Sequence, residues 1–243
     1  MAAPEKTISE QFGIASRKDK RQGFSPRPGE QEDLLDMIRS NLITFALGSA
    51  GTGKTFCVMG AALEALERNE IEKIIIVRPA VSAGEELGFG KGSYYEKVAP
   101  YMMPAFDSLM KIAGSKKIID LVDNGTIEVI PVAFMRGRNF DDAFIMVDEA
   151  QNNTVEQTEM LLTRPGKNSK IILCGDEKQN DLEKIGEISG LTDAIERFTP
   201  YVGVEPVAMK TLVNVVRGPI AALAVDAYAN RKPVQKPKLV NQK

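Results

Sequence analysis

The chain has 243 residues, 43% of them hydrophobic, and a formal net charge of −2. This length favours one domain with extensions, and this apolar content excludes wholesale disorder. Because the chain has no histidine, any catalysis must use carboxylates, lysine, arginine, backbone N–H groups and a bound metal. No apolar run approaches the ~20 residues that span a bilayer, and no signal-peptide core opens the chain. We therefore expect a cytoplasmic protein without a membrane partner.

The two ends of the chain are polar and rich in basic residues. Residues 1–27 lack an apolar pattern and predict a flexible arm, and residues 231–243 carry five Lys and Arg and no acid. Residues 31–230 carry 20 basic and 29 acidic residues, a balance that is not typical of a nucleic-acid domain as a whole. Any contact with RNA or DNA would then use a local groove or the tails. We expect one domain over 28–230.

Short apolar runs alternate with segments of helical periodicity through the middle of the chain. Strands buried on both faces are predicted for the apolar runs at 42–47, 74–77, 127–131, 144–147 and 171–174. Helices are predicted at 31–39, 54–68, 93–113, 155–164, 186–198 and 218–229. This alternation predicts an α/β fold in which helices cover both faces of a mostly parallel sheet.

A glycine-rich segment, GSAGTGKT, fits the phosphate-binding pattern G-x-x-x-x-G-K-[ST] between a predicted strand and a predicted helix. Glycines let successive N–H groups turn toward phosphate oxygens, and the helix adds its positive dipole end. Lys54 would place its charge on the β and γ phosphates, and Thr55 would offer its hydroxyl to Mg²⁺. The alternative is a glycine-rich turn without a ligand. The predicted nucleotide-binding residues here are Gly48, Ser49, Ala50, Gly51, Thr52, Gly53, Lys54 and Thr55.

Two further predicted strands end in polar residues. Asp148 and Glu149 directly follow the run FIMV, and Gln179 follows the run IILC in the segment GDEKQ. Ligands of open α/β sheets bind at the carboxyl ends of the strands. We predict that Asp148 holds Mg²⁺ through a water, that Glu149 polarises the attacking water, and that Gln179 senses the γ-phosphate. The alternatives are an acidic helix start for the carboxylates and a polar turn for the glutamine.

Seven motifs in a fixed order make this sequence similar to a known family. After GSAGTGKT they are VRPAVSAGEELGF (77–89), EKVAPYMMPAFDSL (96–109), AFMRGRNFDDAFIMVDEAQN (133–152), MLLTRPG (160–166), ILCGDEKQNDL (172–182) and VVRGP (215–219). The combination covers residues 28–229 and resembles the PhoH family of phosphate-starvation-inducible P-loop ATPases, which are similar to the motor core of superfamily 1 helicases. The resemblance implies a single RecA-like P-loop NTPase domain.

The resemblance also implies an adenine contact and a ring. Gln31 precedes Gly48 by 17 residues, where helicase-like ATPases place a glutamine that reads adenine; the alternative is an ordinary surface glutamine at a helix start. The chain is too short for a second motor domain, so another subunit would complete each ATP site. A homo-hexameric ring, as in the family, would provide it.

An arginine commonly neutralises charge that develops on the γ-phosphate. Arg217 in VVRGP would act within its own chain, Arg164 would act on a neighbouring subunit, and Arg136 and Arg138 form a third choice. Each of these could instead form a surface ion pair. Contacts to RNA or single-stranded DNA would come from loops and stacking aromatics, although the tyrosines could instead pack on the core. The candidates are Arg78, Ser82, Lys91, Tyr94, Tyr95 and Arg136.

Two functions remain open at this point. The motif order favours a magnesium-dependent ATPase that acts on RNA or single-stranded nucleic acid, in the manner of a helicase. The acidic balance of the core favours a nucleotide-dependent regulatory or assembly switch without motor activity. A small-molecule kinase is disfavoured, because Glu149 is better suited to activating water than to passing a phosphate to a metabolite.

Overall fold

The structure, a computed structural model, describes residues 6–16, 22–79, 94–214 and 216. Six strands in these residues form one sheet, in which every pairing is parallel and the order is 3-2-4-5-1-6. This confirms the predicted α/β fold with a parallel sheet. The strands are β1 (Ile43–Gly48), β2 (Lys73–Arg78), β3 (Ile127–Pro131), β4 (Ala143–Val147), β5 (Lys170–Gly175) and β6 (Val207–Leu212).

Helices cover both faces of the sheet. Alternate residues of the strands point to opposite faces, so Ile74 and Ile76 of β2 join one apolar cluster while Ile75 and Val77 join another. The first five helices contribute to the first cluster and the last two to the second, which explains why the strands read as continuous apolar runs. The helices are α1 (Ile8–Gln11), α2 (Glu30–Ser40), α3 (Lys54–Glu67), α4 (Tyr94–Ala113), α5 (Ser115–Asp123), α6 (Val155–Leu162) and α7 (Gly190–Phe198).

Residues 6–16 and 22–27, which belong to the segment expected to be a flexible arm, include side chains that pack against the domain. Phe12 is 2% exposed, and its ring lies 5.4 Å from that of Phe106 in α4. Phe24 covers Gly60 of α3, where an added Cβ would come within 2.1 Å of the Phe24 ring. A few large apolar side chains at irregular spacing carry this packing, so no periodic pattern marked it in the sequence.

Three elements were not predicted, the four-residue helix α1 among them, and one helix begins later than predicted. Strand β6 contains Lys210 and Thr211, which interrupt its apolar run, and α5 is only nine residues long. Helix α7 begins at Gly190 rather than 186, because the side chain of Ser189 accepts a hydrogen bond from the N–H of Leu191 and caps the helix. The helix predicted at 218–229 lies outside the described residues.

The order of the strands decides which side chains meet. Strand β5 lies between β1 and β4, and all three run in the same direction. The segments that follow their carboxyl ends therefore come together at one edge of the sheet, which is where open α/β sheets bind ligands. In the described part of the chain, no helix is both long and apolar enough to cross a membrane.

Candidate nucleotide-binding site

The loop between β1 and α3 needs its glycines. Gly48, Gly51 and Gly53 have φ values of 136°, 87° and 92°, which lie in the region that side chains rarely adopt. At Gly48, an added Cβ would also lie 2.2 Å from the carbonyl oxygen of Leu212 in the neighbouring strand β6. The glycines therefore allow both the tight curl of the loop and the close approach of the last strand.

Lys54 is held over this loop by the loop's own carbonyl groups. Its Nζ donates to the carbonyl oxygens of Gly48 at 2.5 Å and Ser49 at 3.0 Å. The hydroxyl of Thr52 donates to the Ser49 oxygen at 3.0 Å, which fixes the loop from inside. Lys54 and Thr55 begin α3 and line the same cavity. The ammonium group is thus held at the glycine-rich loop, within the cavity.

Asp148 is a buried carboxylate next to an arginine. Its N–H donates to the carbonyl of Val77 at 2.8 Å, and its side chain is 9% exposed. Burial raises the pKa of the Asp148 carboxyl, and the charge of Arg78 opposes that increase. Arg78 Nη1 lies 3.3 Å from Asp148 Oδ2, and Arg78 Nη2 lies 4.0 Å from Glu149 Oε1. Arg78 also donates to the carbonyl of Tyr101 in α4.

Arg78 therefore lies at the acidic pair rather than on an outer face. It was predicted only as a contact to nucleic acid, but it is the last residue of β2, the neighbour of β4 in the sheet. The sequence contained one usable signal: Arg78, like Asp148, directly follows a buried apolar run. What the sequence did not contain was the adjacency of the two strands.

The residues predicted to hold magnesium fit that ion. Asp148 and Thr55 line one cavity and offer the hard oxygen ligands that Mg²⁺ prefers. A carboxylate whose charged form burial disfavours would be stabilised by a divalent cation. Among the described residues, no cluster of three or more His, Cys, Asp or Glu side chains is arranged for a metal. Mg²⁺ sites commonly use one or two protein ligands together with substrate phosphates.

Glu149 has a second partner that the sequence did not identify. Its backbone is left-handed, with φ 50°, and its Oε2 accepts a hydrogen bond from Gln151 Nε2 at 2.6 Å. Gln151 is 1% exposed, although it lies in the polar run DEAQNN. Its Oε1 accepts the N–H of Asp176 at 3.2 Å. A polar residue in a polar run gives no sign that it is buried, and for that reason its role was missed.

Gln179 reaches the cavity from a short turn after β5. Its N–H donates to the carbonyl of Asp176 at 2.9 Å, and its side chain lines the cavity. A second, polar cavity of about 460 Å³ adjoins the first, and Arg78, Glu149 and Gln179 line both. The predicted sensor and the predicted base therefore lie at the boundary between two cavities.

Gln31 is buried against the phosphate loop, which excludes the alternative of an ordinary surface glutamine. It is 5% exposed; its Nε2 donates to the Thr52 carbonyl at 3.0 Å and its Oε1 accepts the N–H of Arg27 at 2.9 Å. An added Cβ at Gly53 would lie 2.5 Å from Gln31 Nε2. Gln31 lines the cavity beside the loop. Its contact with adenine remains a prediction.

Of the proposed arginine fingers, Arg136, Arg138 and Arg164 lie in the described chain, and none of these three lines the cavity. Arg164 Nε donates to the Met160 carbonyl at 2.9 Å, and its Nη1 donates to the Arg138 carbonyl at 3.2 Å. Arg138 forms an ion pair with Glu128 at 2.9 Å. Arg136 is exposed on the same loop. Ser82, Lys91 and Arg217 lie outside the residues that the structure describes, as do the side chains of Tyr94 and Tyr95.

The cavity as a whole has a volume of about 670 Å³, within the range that encloses a small ligand. Its lining brings together Gln31, Lys54 and Thr55 from one side and Arg78, Asp148, Glu149 and Gln179 from the other. A parallel sheet with a phosphate loop after one strand, and an acidic pair two strands away, defines the P-loop NTPase class. Residues 24–229 match the family model described as "PhoH-like protein". The chain belongs to the PhoH-like family.

Curated relatives agree with this assignment. The PhoH-like protein of Mycobacterium tuberculosis (strain H37Rv) is 44% identical over 216 residues, which are 89% of this chain and 60% of that protein. That of Bacillus subtilis is 44% identical over 200 residues, 82% of this chain and 62% of that protein. Protein PhoH of Escherichia coli K12 is 40% identical over 191 residues, which are 78% of this chain and 54% of that protein. This chain therefore spans only 54–62% of the length of these three relatives.

Two solved structures are similar to the chain at 16% sequence identity. The Sulfolobus solfataricus SWI2/SNF2 ATPase core in complex with dsDNA gives a TM-score of 0.45 and covers 82% of this chain and 46% of that chain. The Pif1 helicase from Candida albicans gives a TM-score of 0.43, and the match covers 82% of this chain and 42% of that chain. At this similarity the comparison says nothing about what this chain binds.

Proposed function

We propose that this protein is a magnesium-dependent ATPase whose site is the cavity at the carboxyl ends of β1, β4 and β5. The observation that carries the proposal is that Lys54, Glu149 and Gln179, from three separate segments of the chain, line one cavity. Membership of the PhoH-like family supports the proposal, because the family motifs are those of P-loop ATPases. Gln31, which lies beside the loop, would select adenine by exchanging its bonds to Thr52 and Arg27 for bonds to the base.

In the proposed reaction, a water oxygen attacks the γ-phosphorus in line, the bond to the β,γ-bridging oxygen breaks, and ADP and phosphate leave. Glu149 polarises the water and accepts its proton, while Lys54 neutralises charge on the phosphates. Gln179 contacts the γ-phosphate and the water from the edge of the cavity. Mg²⁺, held by Thr55 and Asp148, would supply further neutralisation of the phosphate charge. Catalysis then consists mostly of positioning and electrostatics.

Arg78 adds a cation to this centre within the same chain. Its guanidinium lies 3.3 Å from the nearest Asp148 oxygen and 4.0 Å from the nearest Glu149 oxygen. It also lines the cavity that would contain the γ-phosphate. Arg78 therefore balances the two carboxylates before the substrate binds. Because it is already in place, a second arginine is needed only where charge develops during the reaction.

That second arginine is proposed to be Arg217 in the same chain or Arg164 from a neighbour. Arg164 does not line the cavity of its own chain, so a role at an ATP site would have to be at that of another subunit. A homo-hexameric ring would place it there. We further propose that the assembly acts in the cytoplasm on RNA or single-stranded DNA, with Arg136 and the segment after β2 among the contacts.

The test is ATP hydrolysis by the purified protein with and without single-stranded RNA and DNA, at about 50 and about 200 mM salt, together with its mass in solution. Strong, salt-sensitive stimulation by one polymer in a ring-sized assembly would support the motor. Slow hydrolysis that no polymer stimulates would leave an ATPase and favour the regulatory or assembly switch. A protein that binds ATP and Mg²⁺ but does not hydrolyse ATP would contradict the proposal.

Replacing the functional arginine finger is expected to lower kcat by about 10³-fold while leaving ATP binding intact, because it contacts only charge that develops in the transition state. Arg164→Ala and Arg217→Ala are compared by steady-state hydrolysis and by binding of a non-hydrolysable ATP analogue. Arg197→Ala is the matched control, since Arg197 is exposed and pairs with Asp193 on the surface. Wild-type rates in both test variants would exclude both assignments.

Mixed assemblies distinguish the two positions. Subunits with Arg164→Ala are mixed with subunits that carry Glu149→Gln, each inactive alone. If Arg164 acts on a neighbour, some sites in the mixture combine an intact Glu149 with an intact Arg164, and activity returns. If mixing restores no activity, Arg164 does not act across the interface.

A further inference from the structure

We infer that Gln151 is a positioning residue that fixes the carboxylate of Glu149 for hydrolysis; this inference rests on the proposed ATPase function. Gln151 is 1% exposed and lies in the short turn after β4. Its Nε2 donates to Glu149 Oε2 at 2.6 Å. A hydrogen bond from an uncharged donor to a carboxylate directs that carboxylate without forming an ion pair with it.

The orientation of the Gln151 amide is determined by its other contacts. Its Oε1 accepts the N–H of Asp176, the residue after β5, at 3.2 Å. Its backbone carbonyl accepts the hydroxyl of Ser189, which caps α7, at 2.8 Å. A flipped amide would set its NH₂ group against the N–H of Asp176 and its oxygen against the carboxylate. Only one orientation satisfies both neighbours, and in that orientation the donor points at Glu149.

The surrounding packing leaves this amide little freedom. An added Cβ at Gly175 would lie 2.8 Å from Gln151 Oε1, so the glycine provides the space that the amide occupies. Glu149 itself has a left-handed backbone, a conformation that persists only when tertiary contacts hold it. Gln151 holds one carboxylate oxygen, and the guanidinium of Arg78 lies 4.0 Å from the other. Glu149 therefore lies between an amide that is bonded to the residue after β5 and the last residue of β2.

A general base must lie within hydrogen-bond reach of the water that it activates, and a displacement of about 1 Å can cost about 10²-fold in rate. Removing the Gln151 donor is therefore expected to reduce kcat by about 10²-fold. Binding of ATP should change little, because Gln151 is bonded to Glu149 and Asp176 rather than to the phosphate loop.

The sharpest variant is Gln151→Glu. It has the same size and keeps an oxygen for the N–H of Asp176, but it replaces the donor that faces Glu149 with a second carboxylate oxygen. The matched control is Gln157→Glu: Gln157 accepts the N–H of Thr154 at 3.0 Å in a capping box, where glutamate serves equally well. We expect Gln151→Glu to lower kcat about 10²-fold with the Kd of an ATP analogue within about twofold of wild type, and the control to match wild type.

A double variant tests the contact itself. Glu149→Gln with Gln151→Glu restores a donor and an acceptor with their positions exchanged, so it should recover the unfolding temperature that Gln151→Glu alone loses. If Gln151→Glu does not fold, Gln151→Met, which keeps the chain length without a donor, should show the same selective loss of kcat. Wild-type kcat in whichever of these two variants folds, or no recovery in the double variant, would overturn the inference. The ATPase proposal fails separately, if the wild-type protein itself does not hydrolyse ATP.

Discussion

Lys54→Ala is expected to lower kcat/KM for ATP hydrolysis by about 10⁴-fold, with about 10³-fold in kcat and the remainder in binding. The ammonium group lies over the loop, 2.5 and 3.0 Å from the carbonyl oxygens of Gly48 and Ser49. The Lys54→Ala variant has no positive charge at this position to stabilise the β and γ phosphates. Steady-state kinetics with varied ATP, together with a fluorescent-nucleotide titration, measures both components.

Lys117→Ala is the matched control, because Lys117 pairs with Glu67 on the surface of α5, away from the cavity. It should hydrolyse ATP at the wild-type rate. Lys54→Ala should also unfold near the wild-type temperature, since it removes only two hydrogen bonds of a partly exposed side chain. A Lys54→Ala protein with wild-type turnover would contradict the site assignment as a whole.

Glu149→Gln is expected to reduce kcat by about 10³-fold while ATP remains bound, which makes it the variant that traps the substrate complex. The change keeps the size of the side chain and an oxygen for the Gln151 donor at 2.6 Å, so the local structure should persist. The change replaces the carboxylate with an amide, which cannot accept a proton from water. Single-turnover hydrolysis and retention of labelled ATP on a desalting column separate chemistry from binding.

Glu72→Gln provides the comparison, because Glu72 precedes β2 at the opposite edge of the sheet and is exposed. Hydrolysis by this control should be unchanged. If Glu149→Gln turned over ATP at the wild-type rate, another group would have to activate the water. Asp176, which follows β5 and lines the cavity, would then be the next carboxylate to replace.

Buried polar residues connect the segments that form the proposed site. Gln151 joins the turn after β4 to the N–H of Asp176 and the cap of α7, and Gln31 joins the start of α2 to the phosphate loop. A buried amide that satisfies several backbone groups fixes the relative positions of the segments that it joins. The site is therefore held together by amides as well as by the sheet.

The sequence by itself determined the local features of the protein. Five strands were identified because residues buried on both faces form continuous apolar runs, and all five lie, with the unpredicted β6, in one parallel sheet. The phosphate loop was identified because its chemistry lies within eight consecutive residues, and Asp148 and Glu149 because they directly follow a strand. Each of these signals depends only on neighbours along the chain.

Only the tertiary structure decided the features that depend on distant neighbours. Arg78 reaches Asp148 because β2 and β4 are adjacent, and Gln151 reaches Asp176 because β4 and β5 are adjacent. Phe12 is buried because α4 presents Phe106 to it. In each case the free energy comes from a contact between segments far apart in sequence, and a local pattern carries no information about which segments will meet.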